Sequence, residues 1–168
     1  MPSPPALEHV FDVAVRVAVP LAIGETGAGL RRVVDILGGD VTGPRLQGRI
    51  RSGGADFQLI RATGLTELHA RYVIEAADGA PIYVENSGIR FGPPDALAKL
   101  NRGEPVDPAL IYFRTVPRFE TEVPAYRWLM EHIFIGVASA APIRSSSKSI
   151  WCGSASILGA RLANFLKV

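Results

Sequence analysis

Gly53-Gly54-Ala55-Asp56-Phe57-Gln58-Leu59-Ile60, and further on Arg71-Tyr72-Val73-Ile74-Glu75, Asp78-Gly79 and Ile82-Tyr83-Val84-Glu85-Asn86, decide the fold. The runs are rich in β-branched and aromatic residues, and a glycine pair or Asp-Gly sits at their ends, the chemistry of tight hairpin turns. Charged groups recur within them, where a plain core would carry none. A β-barrel with a polar-lined interior satisfies both facts.

Outward from this segment the same signals continue. Leu7 to Val19 alternates, with Leu7, His9, Phe11, Val13, Val15, Val17 and Val19 on one face and Glu8, Asp12 and Arg16 on the other, as in a long half-buried strand. Arg32 to Leu37 reads as a second strand, ended by a tight reversal at Gly38-Gly39. Gly48 marks a bulge or bend in the next one. Strands are expected over Asp56–Arg61, Glu67–Ala76, Pro81–Ile89, Ile111–Thr115 and His132–Val137. Short helices are expected at Ala96–Arg102 and near Tyr126–Met130. Ser145 to Lys148 reads as a polar loop, and Ile150 to Ile157 as the strand that closes the barrel. The expected class is all-β: a single antiparallel, roughly eight-stranded barrel with one or two short helices. One domain spans residues 1–168, its core at 7–157, and a tail at 158–168 has helical spacing at Leu158, Leu162, Phe165 and Leu166.

The 168 residues suffice for one self-supporting core, and 48% hydrophobic with 20% charged residues is ordinary globular composition. The net charge of +2 comes from dispersed residues of both signs, which disfavours nucleic acid as a partner. A lone cysteine, Cys152, excludes an intrachain disulfide framework. His9, His69 and His132 fall on separate strands without ligand-like spacing, so no metal is expected. No basic leader with an apolar stretch and no run of about 18 apolar residues occurs, so no membrane partner is expected and the expected location is cytoplasmic.

Taken in order, Gly38-Gly39, Gly43-Pro44, Leu46-Gln47-Gly48, Gly53 to Gln58, Ala70-Arg71-Tyr72, Asp78-Gly79-Ala80, Asn86-Ser87-Gly88, Tyr112 to Thr115, Phe119-Glu120-Thr121 and Tyr126 to Leu129 resemble the pattern of the domain of unknown function 3237 family, also called uncharacterised protein family 311. The resemblance covers about Leu7 to Ala140. It implies a lipocalin-like β-barrel that forms homo-oligomers, with no activity common to the family. At its end the chain carries Trp151-Cys152 in place of the usual Asp-x-Tyr.

Asp56, if its face of the strand is inward, is the candidate general acid or base, against the plainer role of a turn carboxylate. Arg71 and Tyr83 are candidates to stabilise negative charge; their alternatives are a solvated ion-pairing face and a packing tyrosine. Asn86, Arg114, Glu120 and Trp128 are candidate ligand-positioning residues, with an Arg114 to Glu120 loop pair as the alternative for those two. The leading expectation is a barrel that binds a small aromatic or polyketide-like metabolite and isomerises, cyclises or hydrates it without a cofactor. The alternatives are a non-catalytic small-ligand carrier of lipocalin type, and an assembly module using outward Phe57 and Leu59.

Overall fold

The computed structural model describes residues 6–139 and 145–153. The described residues form ten strands: β1 (Leu7–Val17), β2 (Leu21–Thr26), β3 (Gly29–Thr42), β4 (Gly48–Ile50), β5 (Gly54–Ile60), β6 (Thr66–Ala76), β7 (Pro81–Phe91), β8 (Tyr112–Glu120), β9 (Phe134–Ser139) and β10 (Ser145–Gly153). One helix, α1 (Pro94–Asn101), lies between β7 and β8, and 3₁₀ turns occupy Pro108–Leu110 and Pro124–Leu129. All pairings are antiparallel. The sheet closes on itself, because β1 pairs with β10 on one edge and with β3 on the other. β4 and β5 share one side of β3 and together act as one barrel strand, which gives the ring eight members. The β-barrel class expected from the sequence is therefore the architecture found. Among the described residues no helix is long and apolar enough to cross a membrane.

Two local expectations differ from the structure, and one strand, β2, was not expected. Gly38-Gly39 does not reverse the chain, and β3 runs through it to Thr42. Arg16 pairs with Gly38 and Val17 with Ile36, so Leu37 is an extra residue and the glycines mark a bulge. Ser145 to Lys148 is not a loop but the start of β10, because its backbone pairs with β1 throughout and with β9 from Ser147 on. β2 was masked in the sequence by Gly24, Gly27 and Gly29. The last-strand reading holds as far as Gly153; residues 154–168, including the expected helical tail, lie outside the described residues.

Side-chain parity sorts the barrel into inside and outside. On β6, Thr66, Leu68, Ala70, Tyr72, Ile74 and Ala76 are buried while the residues between them face outward. One apolar cluster fills the end where Phe11, Phe119 and Phe134 stack edge to face, with Trp128 tilted against Phe134. A second, smaller cluster lies under α1, where Ala96 and Leu97 pack on Leu68, Ile111, Phe113 and Ala138. The helix is placed by Pro at its first turn and by the favourable Asp95 there, and its apolar positions 96, 97 and 100 are the buried ones. Between these clusters the interior is polar.

Candidate functional site

The strand register assembles the polar layer. Around the barrel, one row runs Val34, Asp56, Ala70, Asn86, Pro117; the next runs Arg32, Gln58, Leu68, Gly88, Thr115; a third contains Ile60, Thr66, Arg90 and Phe113. Antiparallel partners project to the same side, so these rows place Arg32, Asp56, Gln58, Asn86, Arg90 and Thr115 on the inner face. Arg32 Nε donates to Gln58 Oε1 at 2.7 Å, and Gln58 Nε2 donates to Asp56 Oδ2 at 2.6 Å. Asp56 thus has one oxygen held by an amide that is itself oriented by a guanidinium.

Six further polar atoms of the layer are buried without protein partners: Asp56 Oδ1, both amide atoms of Asn86, Nε and Nη2 of Arg90, and Thr115 Oγ1. Asn86 and Thr115 are only 2% exposed, and Arg90 is 7% exposed. Each such atom costs about 1–3 kcal/mol if left unmet, and native interiors tolerate few of them. Six in one layer set it apart from the apolar clusters on either side.

Electrostatics agrees with the geometry. Burial pushes the Arg90 guanidinium down to about 10; the neighbouring Arg32 charge adds to this and Asp56 opposes it. Burial likewise lowers Arg32, against the attraction of Asp56. The Tyr72 hydroxyl is raised well above the usual phenol range, first by burial; the nearby Asn86 amide offsets this in part and the Asp56 charge adds to it. The two groups are close enough for the amide to act on the hydroxyl, yet neither amide atom of Asn86 has a hydrogen bond.

Tyr72 makes alkaline stability a testable quantity. Its folded pKa lies above its unfolded value, so its contribution is intact below pH ~10 and is lost as pH rises from there through the folded pKa. Arg90 works the opposite way, since the unfolded chain keeps that proton longer. The difference between the wild type and Tyr72→Phe isolates the tyrosine: the urea midpoint of the variant should fall less between about pH 10 and 12 than that of the wild type. Parallel slopes would contradict the buried phenol.

The residues singled out from sequence divide into three locations. Asp56 and Asn86 lie on the inner face, two strands apart with only the methyl of Ala70 between them. Arg71, Tyr83, Arg114 and Glu120 do not join them. Arg71 is two-thirds exposed at its side chain and pairs with Glu85 at 2.9 Å, and the Tyr83 hydroxyl donates to that same carboxylate at 3.2 Å. Tyr83 is also opposite Glu120 across the β7–β8 ladder, on the wall of an outer cleft of about 360 Å³. Arg114 covers the Tyr112 ring at 5.0 Å and does not pair with Glu120. The reason is common to all four: they fall on the outward parity of their strands, whose buried alternates are Ala70 and Tyr72, Ile82 and Val84, Phe113 and Thr115, and Phe119. Trp128 plugs the opposite end of the barrel, beneath the Arg45 guanidinium at 3.9 Å. Outward Phe57 is exposed, whereas Leu59 is buried.

Arg32, Gln58 and Arg90 were missed. Their signal was present, since each has the parity of the buried face, Arg32 with Val34 and Ile36, Arg90 with Ile82, Val84 and Asn86. A charge on the apolar side of a strand is the mark of a polar interior. Among the described residues no group of three or more His, Cys, Asp or Glu could hold a metal.

Comparison with known proteins adds the following. A family described as "Protein of unknown function (DUF3237)" matches residues 5–145. A UPF0311 protein of Bradyrhizobium diazoefficiens is 58% identical over 134 residues, covering 80% of this chain and 86% of its own. The crystal structure of a conserved protein of unknown function from Rhodopseudomonas palustris has a TM-score of 0.84 at 49% identity, over 88% of this chain and 98% of that one. More distantly, a hydroalkoxylation enzyme of Penicillium herquei is 29% identical over 86 residues, 51% of this chain and 57% of its own.

Proposed function

The chain belongs to the DUF3237 family, and on that footing we propose that its barrel takes a small organic molecule into the polar layer and carries out acid–base chemistry with Asp56 as the proton-transfer group. The observation that carries this reading is the buried, unpartnered Asp56 Oδ1, facing a layer of equally unpartnered donors. A carboxylate with one oxygen fixed by Gln58 and the other free has the arrangement of a positioned base.

The distant likeness to a hydroalkoxylation enzyme supports a specific reaction class, the addition of an O–H group across a carbon–carbon double bond. The balance is that of an isomerisation. The hydroxyl loses its proton to Asp56, its oxygen bonds to one alkene carbon, and the other carbon receives a proton. No oxidant or reductant takes part. Where the alkene is conjugated to a carbonyl, charge collects on that oxygen, and the Arg90 and Asn86 donors are placed to stabilise it. The fitting substrates are hydroxylated aromatic or polyketide-like alkenes that cyclise within one molecule.

The test is chromatography of such hydroxyalkenes after incubation with the wild type and with Asp56→Asn. Cyclisation by the wild type that is lost in the variant supports the assignment, and equal rates remove it.

A further inference from the structure

We propose that the molecule taken into the layer is a monoanion with two coplanar oxygens, a carboxylate or an enolised 1,3-dicarbonyl, gripped side-on by Arg90. This rests on the ligand-site reading above and deepens it by fixing the charge and shape of what binds.

Charge counting leads there. Among the described side chains of the layer, Arg32 and Arg90 are cationic and Asp56 is anionic. Arg32 and Asp56 are linked through Gln58, at 2.7 and 2.6 Å, and so compensate each other. Arg90 has no such link. It is 7% exposed, and its Nε and Nη2 have no partner.

These two nitrogens lie on the same edge of a guanidinium and point their N–H bonds in parallel. That is the fork that accepts two coplanar oxygens at once. The Phe113 ring lies 5.9 Å from the guanidinium carbon, an apolar backing that leaves the fork edge as the polar surface of the group. A buried cation with no hydrogen-bonded counter-charge is costly to the ligand-free protein, and its depressed pKa reports that cost even though the Asp56 charge offsets part of it. An arriving anion removes the cost. A neutral molecule of the same shape does not.

Calorimetric titration of the full chain tests this with benzoate, with 2-acetylcyclohexane-1,3-dione as the enolised 1,3-dicarbonyl whose acetyl and ring oxygens lie side by side, and with benzamide as the neutral isostere. At least one anion is expected to bind about tenfold or more tighter than benzamide, and which of the two does so identifies the source of the paired oxygens. Arg90→Met should lose that binding by about 100-fold, and Arg90→Lys, which keeps the charge without the fork, by about tenfold. Without ligand, Arg90→Met should melt at the same or a higher temperature than the wild type.

Anion binding that survives in both variants, or benzamide binding as tightly as the anions, would overturn the inference while leaving the ligand site standing. A lower melting temperature for ligand-free Arg90→Met would also count against it, since a partner would then already be compensating the charge. Failure of the wild type to bind any of the three probes would overturn the ligand-site reading together with the inference.

Discussion

Gly39→Ala is expected to cost at least about 3 kcal/mol and to leave most of the chain unfolded or insoluble. Gly39 sits where β3 is bonded to both neighbours, opposite Val15 of β1 and Ile50 of β4. A Cβ at this position would overlap the Ala14 carbonyl oxygen and meet the Val15 Cα at 3.1 Å. Both are backbone, and neither can swing aside as a side-chain tip would. Relief requires β1 and β3 to separate, which opens the ring at its seam. Gly27→Ala is the control, since a Cβ there meets nothing within 4 Å and the backbone has no positive φ. Urea denaturation of the two variants should differ by several kcal/mol, and similar midpoints would refute the close approach at the seam.

Asp56→Asn should lower turnover by about 10²- to 10⁴-fold, the range ascribed to a positioned acid or base. It should also destabilise the ligand-free protein by about 2–4 kcal/mol, because removing one partner of a buried pair strands the other charge. Arg32, Arg90 and Tyr72 all feel the Asp56 charge, so the substitution acts on each of them. Without the carboxylate the Arg32 and Arg90 charges repel each other in a layer whose other described side chains carry no counter-charge. Adding Arg32→Met to Asp56→Asn removes the stranded partner and should restore much of the stability but none of the turnover. Chemical denaturation and product formation, measured on the same samples, separate the two roles. A single variant as stable as the wild type would mean that the pair is not desolvated.

The barrel was legible because its evidence is local. Asp78-Gly79 between two alternating runs specifies a hairpin by itself, and Gly79 takes the positive φ that such turns use. Strand ends were less legible where glycine serves packing instead of turning. Gly38-Gly39 reads as a reversal, yet it is needed because three backbones crowd together there, a fact no local pattern contains. The site was half legible for a related reason. Asp56 and Asn86 could be picked out as polar groups on strands, but which face of β6 and β7 turns inward depends on closure of the whole ring. Arg71 and Tyr83 have the right chemistry on the wrong parity. Arg90 has the right parity and sits near the end of a strand, where the alternation is easily read as fraying.

The pairing of β1 with β10 has a consequence for how the protein is made. Leu7 lies opposite Gly153, so the first and last described strands are neighbours in space. A nascent chain leaving the ribosome can zip the β5–β6–β7 hairpins as they emerge, but β1 and β9 keep bare edges until β10 arrives between them. Ring closure is then a late, long-range event, of the kind that slows β-proteins and exposes them to edge-to-edge association. In cells its yield should depend more on chaperone supply during that interval than on the final stability of the barrel.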